Sequence, residues 1–298
     1  MNDRELKNYF DSRSVVLFDS AMGTALISAG MDTGAVSEEA NLKMPETVLD
    51  IHTQNINAGS DVITSNSFGV TNMYIQGERE NALALLEESI KIAKKAIVGK
   101  KDKLVCLGLG PAGIILGPYG DHSYEEAEEA YAAQAEAGAR AGADFILFET
   151  FADMEEIIRA GRVAGQASGL PVLGTMTFDE RGYSFMGATP AKYITEAKAQ
   201  EFFAAGANCT LGPDQMISIA EDILSAAGDL PVLVQPNAGQ PVFKDGQTIY
   251  EVTQEEFASG AKKLISLGIS AIGGCCGTTP AMISAVRDII NAGGTKDE

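Results

Sequence analysis

The amino-acid sequence predicts an α/β fold, a single (β/α)8 TIM barrel in which eight parallel strands each lead into a helix. Short β-branched or apolar runs alternate with segments rich in Ala, Glu and Lys that have a helical period. This alternation continues through all 298 residues without a low-complexity linker or a change of composition. Eight such units close a parallel barrel, so we expect one domain over 1–298 with its core at 12–292.

Eight apolar runs are predicted to form the strands, and most of them end in a small or polar residue. They are VVLFD (15–19), DVITSN (61–66), KLVCLGLG (103–110), DFILFET (144–150), PVLGTMTF (171–178), FFAAGANC (202–209), PVLVQPN (231–237) and ISAIGGCC (269–276). The sixth has the weakest strand pattern, because its composition also suits the end of a helix.

Eight helical segments are predicted between and after these strands. Their periodic patterns cover 45–58, 81–98, 124–141, 153–168, 190–201, 214–227, 254–267 and 280–291. Ser123 stands before a glutamate-rich first turn, and Pro280 takes a first helical position after Thr279. Beyond the last helix, we expect the tail GGTKDE (293–298) to fray.

Composition and charge argue against several classes of protein. The formal net charge of −19 disfavours nucleic-acid binding, which needs Lys and Arg to displace counterions from phosphates. The sequence lacks an apolar stretch of about 18 residues, which disfavours a membrane span, and its polar N-terminus has no signal-peptide pattern. With only four cysteines, the composition favours a cytoplasmic protein whose thiols stay reduced.

Three of the four cysteines fall at the carboxyl ends of predicted strands, where barrels of this kind have their active sites. Cys209 ends the sixth strand, and the adjacent Cys275 and Cys276 end the eighth. Adjacent cysteines bridge poorly, whereas three thiolates at one rim are a ligand set for zinc with one exchangeable position. With only two histidines in the chain, a histidine-based metal site is disfavoured.

The alternative for each cysteine is a small buried hydrophobe. That interpretation suits Cys106, in the middle of the third strand. It suits Cys275 and Cys276 poorly, because successive strand residues face opposite sides unless the strand has become irregular. The flanking glycines allow that irregularity, and the helix N-terminus after TTP favours nearby thiolates. The residues alone therefore favour a zinc site.

Three cysteine ligands make zinc a poor generator of hydroxide but allow it to hold a further sulfur deprotonated at neutral pH. The predicted chemistry is therefore alkylation of a substrate thiol. The strand-end acids Asp19 and Glu149 are candidates to bind a cationic group such as an ammonium. The alternative is that each caps a helix or pairs with a lysine. For Asp19 the two interpretations have equal support, and for Glu149 we favour the functional one.

A competing motif follows the third strand. GLGPAG (108–113) matches G-x-G-x-x-G, the pattern of a dinucleotide site. Pro111 and the sequence after it do not open a helix, so we interpret the motif as an active-site loop. A P-loop motif and a strand-end lysine suited to a Schiff base are both missing from the sequence.

Taken together, the motifs resemble the homocysteine S-methyltransferase family over roughly 12–292, and within it the homocysteine-binding module of cobalamin-dependent methionine synthases. The segments that carry the resemblance are LFDSAMGT, AGSDVITSNSFG, GPAGIILGPYG, GADFILFETFADMEE, MTFDERGYSFMG, GANCTLGP, VQPNAGQP and IGGCCGTTPAMI. The resemblance implies that Cys209, Cys275 and Cys276 bind zinc, that the homocysteine sulfur joins them, and that no catalytic residue is needed beyond this site.

The resemblance also implies how the amino acid is held. Asp19 and Glu149 match the positions that bind the amino group, and the backbone of the turn after the first strand would bind the carboxylate. The residues of that turn are Ser20, Ala21, Gly23 and Thr24, and the supporting pocket residues are Asn66, Asn208 and Asn237. The family usually has D-G-A-M-G-T in this turn, and Ser20 replaces its first glycine.

The methyl donor is the least determined part of the prediction. The sequence ends where a methionine synthase would continue into folate and cobalamin modules, so we expect a donor from outside, preferably a methyl-corrinoid such as methylcobalamin on a separate protein. S-methylmethionine, S-adenosylmethionine or betaine as donor, and another small thiol as acceptor, are alternatives. A non-catalytic, zinc-containing subunit of a methyltransferase complex is an alternative of another class.

Overall fold

Eight parallel strands with helices between them form the barrel in the computed structural model, which describes residues 1–244 and 247–293. The sheet has the order β1-β10-β7-β6-β5-β4-β3-β2, and all of its pairs are parallel. Its strands are β1 (Val16–Leu17), β2 (Val62–Thr64), β3 (Leu104–Leu109), β4 (Phe145–Phe151), β5 (Val172–Met176), β6 (Ala204–Asn208), β7 (Val232–Gln235) and β10 (Ala271–Ile272). The predicted TIM barrel is confirmed.

Each of the eight predicted strands contains one strand of the barrel, including the Ala-rich sixth. The helices α4, α6, α7, α8, α9, α10, α11 and α12 confirm the eight predicted helical segments. Their bounds are Pro45–Ala58, Arg79–Ala96, Tyr124–Ala141, Met154–Ser168, Pro190–Ala199, Met216–Ala227, Gln254–Ser266 and Pro280–Gly293. Of the tail expected to fray, residues 294–298 lie outside the described part of the chain.

Several short elements were not predicted. Four are helices, α1 (Asp3–Asp11), α2 (Met22–Ser28), α3 (Ala40–Lys43) and α5 (Val70–Ile75). An antiparallel hairpin of β8 (Pro241–Lys244) and β9 (Gln247–Tyr250) also stands apart from the barrel sheet. Two sequence signals could have predicted two of these elements. Asn2 and Glu5 form a capping box, which marks the start of α1. An Asp-Gly pair between the strand-like runs VFK and QTIY is typical of a hairpin.

The core has two layers, as expected for a barrel whose strands are covered by helices. Alternate strand residues such as Phe18, Phe145 and Leu233 form a buried cluster inside the barrel. Leu6 and Phe10 of α1 belong to the same cluster, so α1 covers the amino-terminal end of the barrel. A larger cluster fills the space between the strands and the surrounding helices. The site is left at the opposite, carboxyl-terminal end.

The strands β1 and β2 are not paired in the sheet, and isolated hydrogen bonds made by Asp61 join them where the barrel closes. At the lower end, the amide of Asp61 donates to the Leu17 carbonyl (2.7 Å) and its carboxylate accepts from the Leu17 amide (3.0 Å). Arg287 of α12 donates to the same carboxylate and to the Gly59 carbonyl. Asp61 therefore supplies the hydrogen bonds that a strand pair would have made.

Among the described residues, no helix combines the length and apolar character needed to cross a bilayer.

We predict that Asp61→Ala lowers the free energy of unfolding by about 3 kcal/mol, because it leaves the Leu17 amide without its acceptor and the partly buried Arg287 guanidinium without its carboxylate partner. Urea denaturation measures the change. Asp11→Ala is the matched control: its ion pair with Lys7 is exposed, so the loss should stay below about 1 kcal/mol. Equal losses in the two variants would contradict this account of barrel closure.

Candidate metal and substrate site

A cavity of about 410 Å³ opens at the carboxyl-terminal end of the barrel. It is lined by residues that follow or end β1, β2, β4, β6 and β10. Most of the residues predicted for the site line it, namely Asp19, Ser20, Ala21, Gly23, Thr24, Asn66, Glu149, Cys209, Cys275 and Cys276. Asn208 and Asn237 do not line it.

The three rim cysteines converge at one side of this cavity. Their sulfur atoms all lie within 4.8 Å of one another, and the sulfurs of Cys209 and Cys276 are 3.8 Å apart. All three thiols are free and partly exposed. Cys106 is fully buried in β3, as predicted from its position in the middle of a strand.

Irregular backbone brings the cysteines together. Cys209 and Thr210 both have positive φ (61° and 64°), so the chain turns sharply where β6 ends. After β10, the Cys275 amide donates to the Pro236 carbonyl, and the Cys276 carbonyl accepts from the Ala238 amide. Adjacent residues of a regular strand face opposite sides, whereas here both sulfurs reach the same cavity, as the flanking glycines led us to expect.

The electrostatics of the three thiols fit a cation. Hydrogen bonds from Cys275 and Cys276 lower the pKa of Cys209, and hydrogen bonds with the other two thiols raise the pKa of Cys275. Of these two thiols, Cys209 therefore gives up its proton more easily. A metal ion replaces protons on its cysteine ligands.

A buried amide gives a second indication that a charged group fits here. The side chain of Asn237 lies close enough to Cys209 to lower the pKa of that thiol, yet its Oδ1 is buried and has no hydrogen-bond partner among the described residues. Buried acceptors are almost always satisfied. This acceptor therefore favours a cation or a donor bound beside Cys209.

Asp19 and Glu149 both line the cavity, and neither acid has a basic side chain beside it among the described residues there. Burial raises the pKa of Asp19 to about 7. Burial, and then the charge of Asp19, raise the pKa of Glu149 to about 8. The residues that line the cavity include no Lys, Arg or His. The two acids therefore favour either bound protons or a cation brought by a ligand.

Asp19 has a structural role that the sequence interpretation missed. Its carboxylate accepts from the Thr64 amide (2.8 Å) and the Thr64 hydroxyl (2.9 Å), so it joins β1 to β2 at the upper end of the barrel. Neither alternative predicted for this acid, a helix cap or a lysine pair, describes that contact, and α2 has no side-chain cap. Thr64 was missed because a threonine in a strand carries no functional signal by itself.

A glycine and a bulge position Glu149. A Cβ on Gly108 would lie 2.5 Å from Thr64 Cγ2 and 3.4 Å from Glu149 Oε1, so a side chain there would crowd both. Thr150 has a φ of 66° within an irregular register between β4 and β5, which turns the strand end. None of the residues 108–113 is among those that line the cavity, so their role as an active-site loop stays a prediction. The missing side chain of Gly108 leaves room for the Glu149 carboxyl.

Two of the predicted asparagines bind other parts of the protein. Asn66 donates through Nδ2 to the Ser37 carbonyl (2.8 Å) and to Asn41 Oδ1 (3.0 Å). Asn208 accepts from the Thr150 amide (2.8 Å), and its Nδ2 donates to the sulfur of Cys275 (3.6 Å). Both side chains therefore hold the walls of the site in place, and a direct contact with substrate stays a prediction.

Fewer residues of the turn after β1 have free backbone amides than predicted. The Ser20 amide and hydroxyl both donate to Asn55 Oδ1, and the Ala21 amide donates to Thr278 Oγ1 (3.2 Å). Ser20, the departure from the family pattern, is thus used to anchor the turn. Met22, Gly23 and Thr24 form the first turn of α2, whose amides have no partner within the helix. A carboxylate would meet these three amides.

Comparison with known proteins agrees with the resemblance in the sequence. A model of the homocysteine S-methyltransferase family matches residues 16–290. The chain is 30% identical to a methionine synthase of Mycobacterium tuberculosis over 92% of its own length, but it spans only 24% of that protein. It is 27% identical to homocysteine S-methyltransferase 2 of Arabidopsis thaliana, with 89% of this chain and 92% of that protein covered.

A solved structure has the same fold. The metallated form of the Escherichia coli homocysteine methyltransferase MmuM superimposes with a TM-score of 0.78 at 22% identity, covering 95% of this chain and 99% of that one. The carboxyl transferase domain of Rhizobium etli pyruvate carboxylase shares the fold more distantly, with a TM-score of 0.55 at 11% identity.

The raised pKa of Glu149 predicts a pH-dependent stability. An acid whose folded pKa is raised stabilises the fold below its ordinary pKa near 4.5, and this contribution is lost as pH rises toward 8. We therefore predict that Glu149→Gln becomes more stable relative to wild type between pH 5 and pH 9, by on the order of a few kcal/mol. Thermal unfolding of the reduced, metal-free protein at both pH values measures it.

The control for this measurement is Glu136→Gln, at an exposed glutamate of α7. It should leave the stability difference between the two pH values unchanged. If Glu149→Gln behaves like the control, or loses stability as pH rises, the carboxyl does not carry a raised pKa.

Proposed function

The chain belongs to the homocysteine S-methyltransferase family, and we propose that it transfers a methyl group to the thiol of homocysteine to form methionine. One observation carries the proposal. Three cysteine sulfurs meet within 4.8 Å of one another in a cavity that also holds the carboxyls of Asp19 and Glu149 and, among the described residues that line it, no cationic side chain. Such a cavity suits a ligand that combines a thiol with an ammonium.

The residues proposed to hold zinc are Cys209, Cys275 and Cys276. Zinc bound there would supply the positive charge that keeps the substrate sulfur deprotonated at neutral pH. A structural zinc site usually has four protein ligands. Three sulfurs facing an open cavity therefore favour a site with an exchangeable position over the alternative of a purely structural zinc in a non-catalytic subunit.

The remaining groups of the cavity are proposed to hold the amino acid. Asp19 is fixed by Thr64, and its remaining lone pairs, together with Glu149, would bind the ammonium. This charge would stabilise the ionised carboxylates and so release the protons that burial keeps on them. The amides of Met22, Gly23 and Thr24 would bind the carboxylate at the other end of the amino acid.

In the transfer itself, a lone pair of the substrate thiolate forms the new S–CH3 bond. The bond between the methyl group and its donor breaks, and that electron pair leaves with the donor. The protein's part is to hold the sulfur in place and to limit the water around it, since a poorly solvated thiolate is the better nucleophile. No residue is required to act as a general acid or base in this step.

We propose a methyl-corrinoid, carried by a separate protein, as the donor. The similarity to methionine synthases supports this choice, although the chain spans about a quarter of their length. S-methylmethionine, S-adenosylmethionine and betaine are the alternative donors, and another small thiol is the alternative acceptor. A cytoplasmic location is part of the same proposal, because four free cysteines suit a reducing compartment.

We predict that Cys276→Ala abolishes both zinc binding and methyl transfer. Zinc content should fall from about one per chain to nearly none, as measured by elemental analysis of the purified protein. Cys106→Ala is the matched control, because Cys106 is fully buried in β3 and is not one of the three converging cysteines, and it should keep its zinc with about 1 kcal/mol lost in stability. Full activity of Cys276→Ala without metal would contradict the proposed site.

A second prediction concerns the donor. In a methyl-transfer assay with homocysteine, we expect methionine to form from a methyl-corrinoid faster than from S-methylmethionine, S-adenosylmethionine or betaine. Product analysis by mass spectrometry, with zinc-stripped protein as the control, measures all four rates. Turnover with one of the small donors alone would refute the corrinoid and keep the homocysteine assignment.

A further inference from the structure

We propose that Tyr250, at the end of the β8–β9 hairpin, is a positioning residue whose hydroxyl donates a hydrogen bond to the sulfur of Cys276 and fixes that ligand for the metal. The hairpin lies outside the barrel sheet, and neither the sequence motifs nor the cavity lining points to it. The inference rests on the proposed function, since it concerns a ligand of the proposed zinc site.

The ring of Tyr250 lies directly on the glycine that follows the paired cysteines. A Cβ built on Gly277 would lie 2.1 Å from Tyr250 Cγ and 2.5 Å from Cδ2, distances that real atoms do not reach. Gly277 also has a φ of 79°, so both its backbone and the ring above it require glycine. The ring is therefore in contact with the turn that carries Cys276.

The hydroxyl of Tyr250 reaches the sulfur cluster. Burial, and then the charge and side chain of Cys276, raise the pKa of Tyr250, and the charges of Cys209 and Cys275 add to this effect. The hydroxyl therefore lies within reach of the sulfurs, Cys276 above all. A cysteine that binds a metal is a thiolate and can only accept a hydrogen bond. Tyr250 must then be the donor, which fixes the direction of the contact.

The hairpin is tied to the same turn by its backbone. The Val252 amide donates to the Ala238 carbonyl (3.4 Å), and the Ala238 amide donates to the Cys276 carbonyl (2.9 Å). A Cβ on Gly239 would lie 2.5 Å from Val252 Cγ2. The chain on either side of the hairpin is therefore anchored next to Cys276, and this anchoring holds Tyr250 over it.

A hydrogen bond to a ligand sulfur has two effects. It fixes the side-chain rotamer, which pre-organises the ligand, and it withdraws charge from the sulfur, which changes how strongly that sulfur donates to a metal. Partners of this kind around a metal site typically change its affinity by about 10- to 100-fold when removed. Cys275 has its own donor in Asn208, so Tyr250 gives Cys276 the equivalent support.

The test uses cobalt(II) as a spectroscopic probe of the sulfur ligands in the full chain. Tyr250→Phe keeps the ring on Gly277 and removes only the hydroxyl. We expect its sulfur-to-cobalt charge-transfer band to move to longer wavelength than in wild type, because the sulfur loses a hydrogen bond. We also expect zinc affinity, measured by chelator competition, to fall by about tenfold or more.

Two further variants separate this effect from packing. Tyr183→Phe, at a half-exposed tyrosine that does not line the cavity, should leave both the band and the zinc affinity unchanged. Tyr250→Ala should add a loss of thermal stability that Tyr250→Phe does not show. If wild type binds cobalt and Tyr250→Phe has the same band and the same zinc affinity, the inference is wrong while the proposed function stands. If wild type binds neither metal, both fail.

Discussion

The cavity concentrates negative charge that the protein does not neutralise. Three cysteine sulfurs lie within 4.8 Å of one another beside the carboxyls of Asp19 and Glu149, and the described residues that line the space include no Lys, Arg or His. In a poorly solvated site, like charges of this kind cannot all ionise. Hydrogen bonds from Cys275 and Cys276 lower the pKa of Cys209, and burial favours the protonated carboxyls. A metal beside the sulfurs and an ammonium beside the acids would neutralise the charge of the ionised groups. The cavity therefore suits a thiol-containing amino acid.

Closure of the barrel and construction of the site depend on the same contacts. The strands β1 and β2 are not paired, and two aspartates replace the missing ladder, Asp61 below and Asp19 above. Asp19 is therefore fixed by the fold before any ligand arrives, which favours binding because little conformational entropy remains to be lost. The same principle applies to the cysteines, whose positions are set by positive-φ turns after β6 and β10 and by the buried amide of Asn208.

Much of this molecule could be predicted from its sequence. The eight strands and eight main helices follow from periodicity, and the paired cysteines followed by a helix start indicated a metal site. The contacts that fix the site could not be predicted, because they join residues distant in the chain. Thr64 beside Asp19 and Tyr250 over Gly277 depend on the packing of separate elements, and threonine or tyrosine in a strand carries no specific signal. The packing role of Gly108 could not be predicted either, because glycines that allow close packing resemble glycines that bind a ligand.

The most direct test of the central claim is X-ray absorption at the zinc edge, recorded on zinc-loaded protein with and without homocysteine. The proposed function predicts three sulfur ligands without substrate and four with it, all at about 2.3 Å. Equilibrium dialysis on the same samples would establish that homocysteine is bound. A sulfur count that stays at three while homocysteine is bound would contradict the claim that the cysteines leave a place for the substrate's thiol.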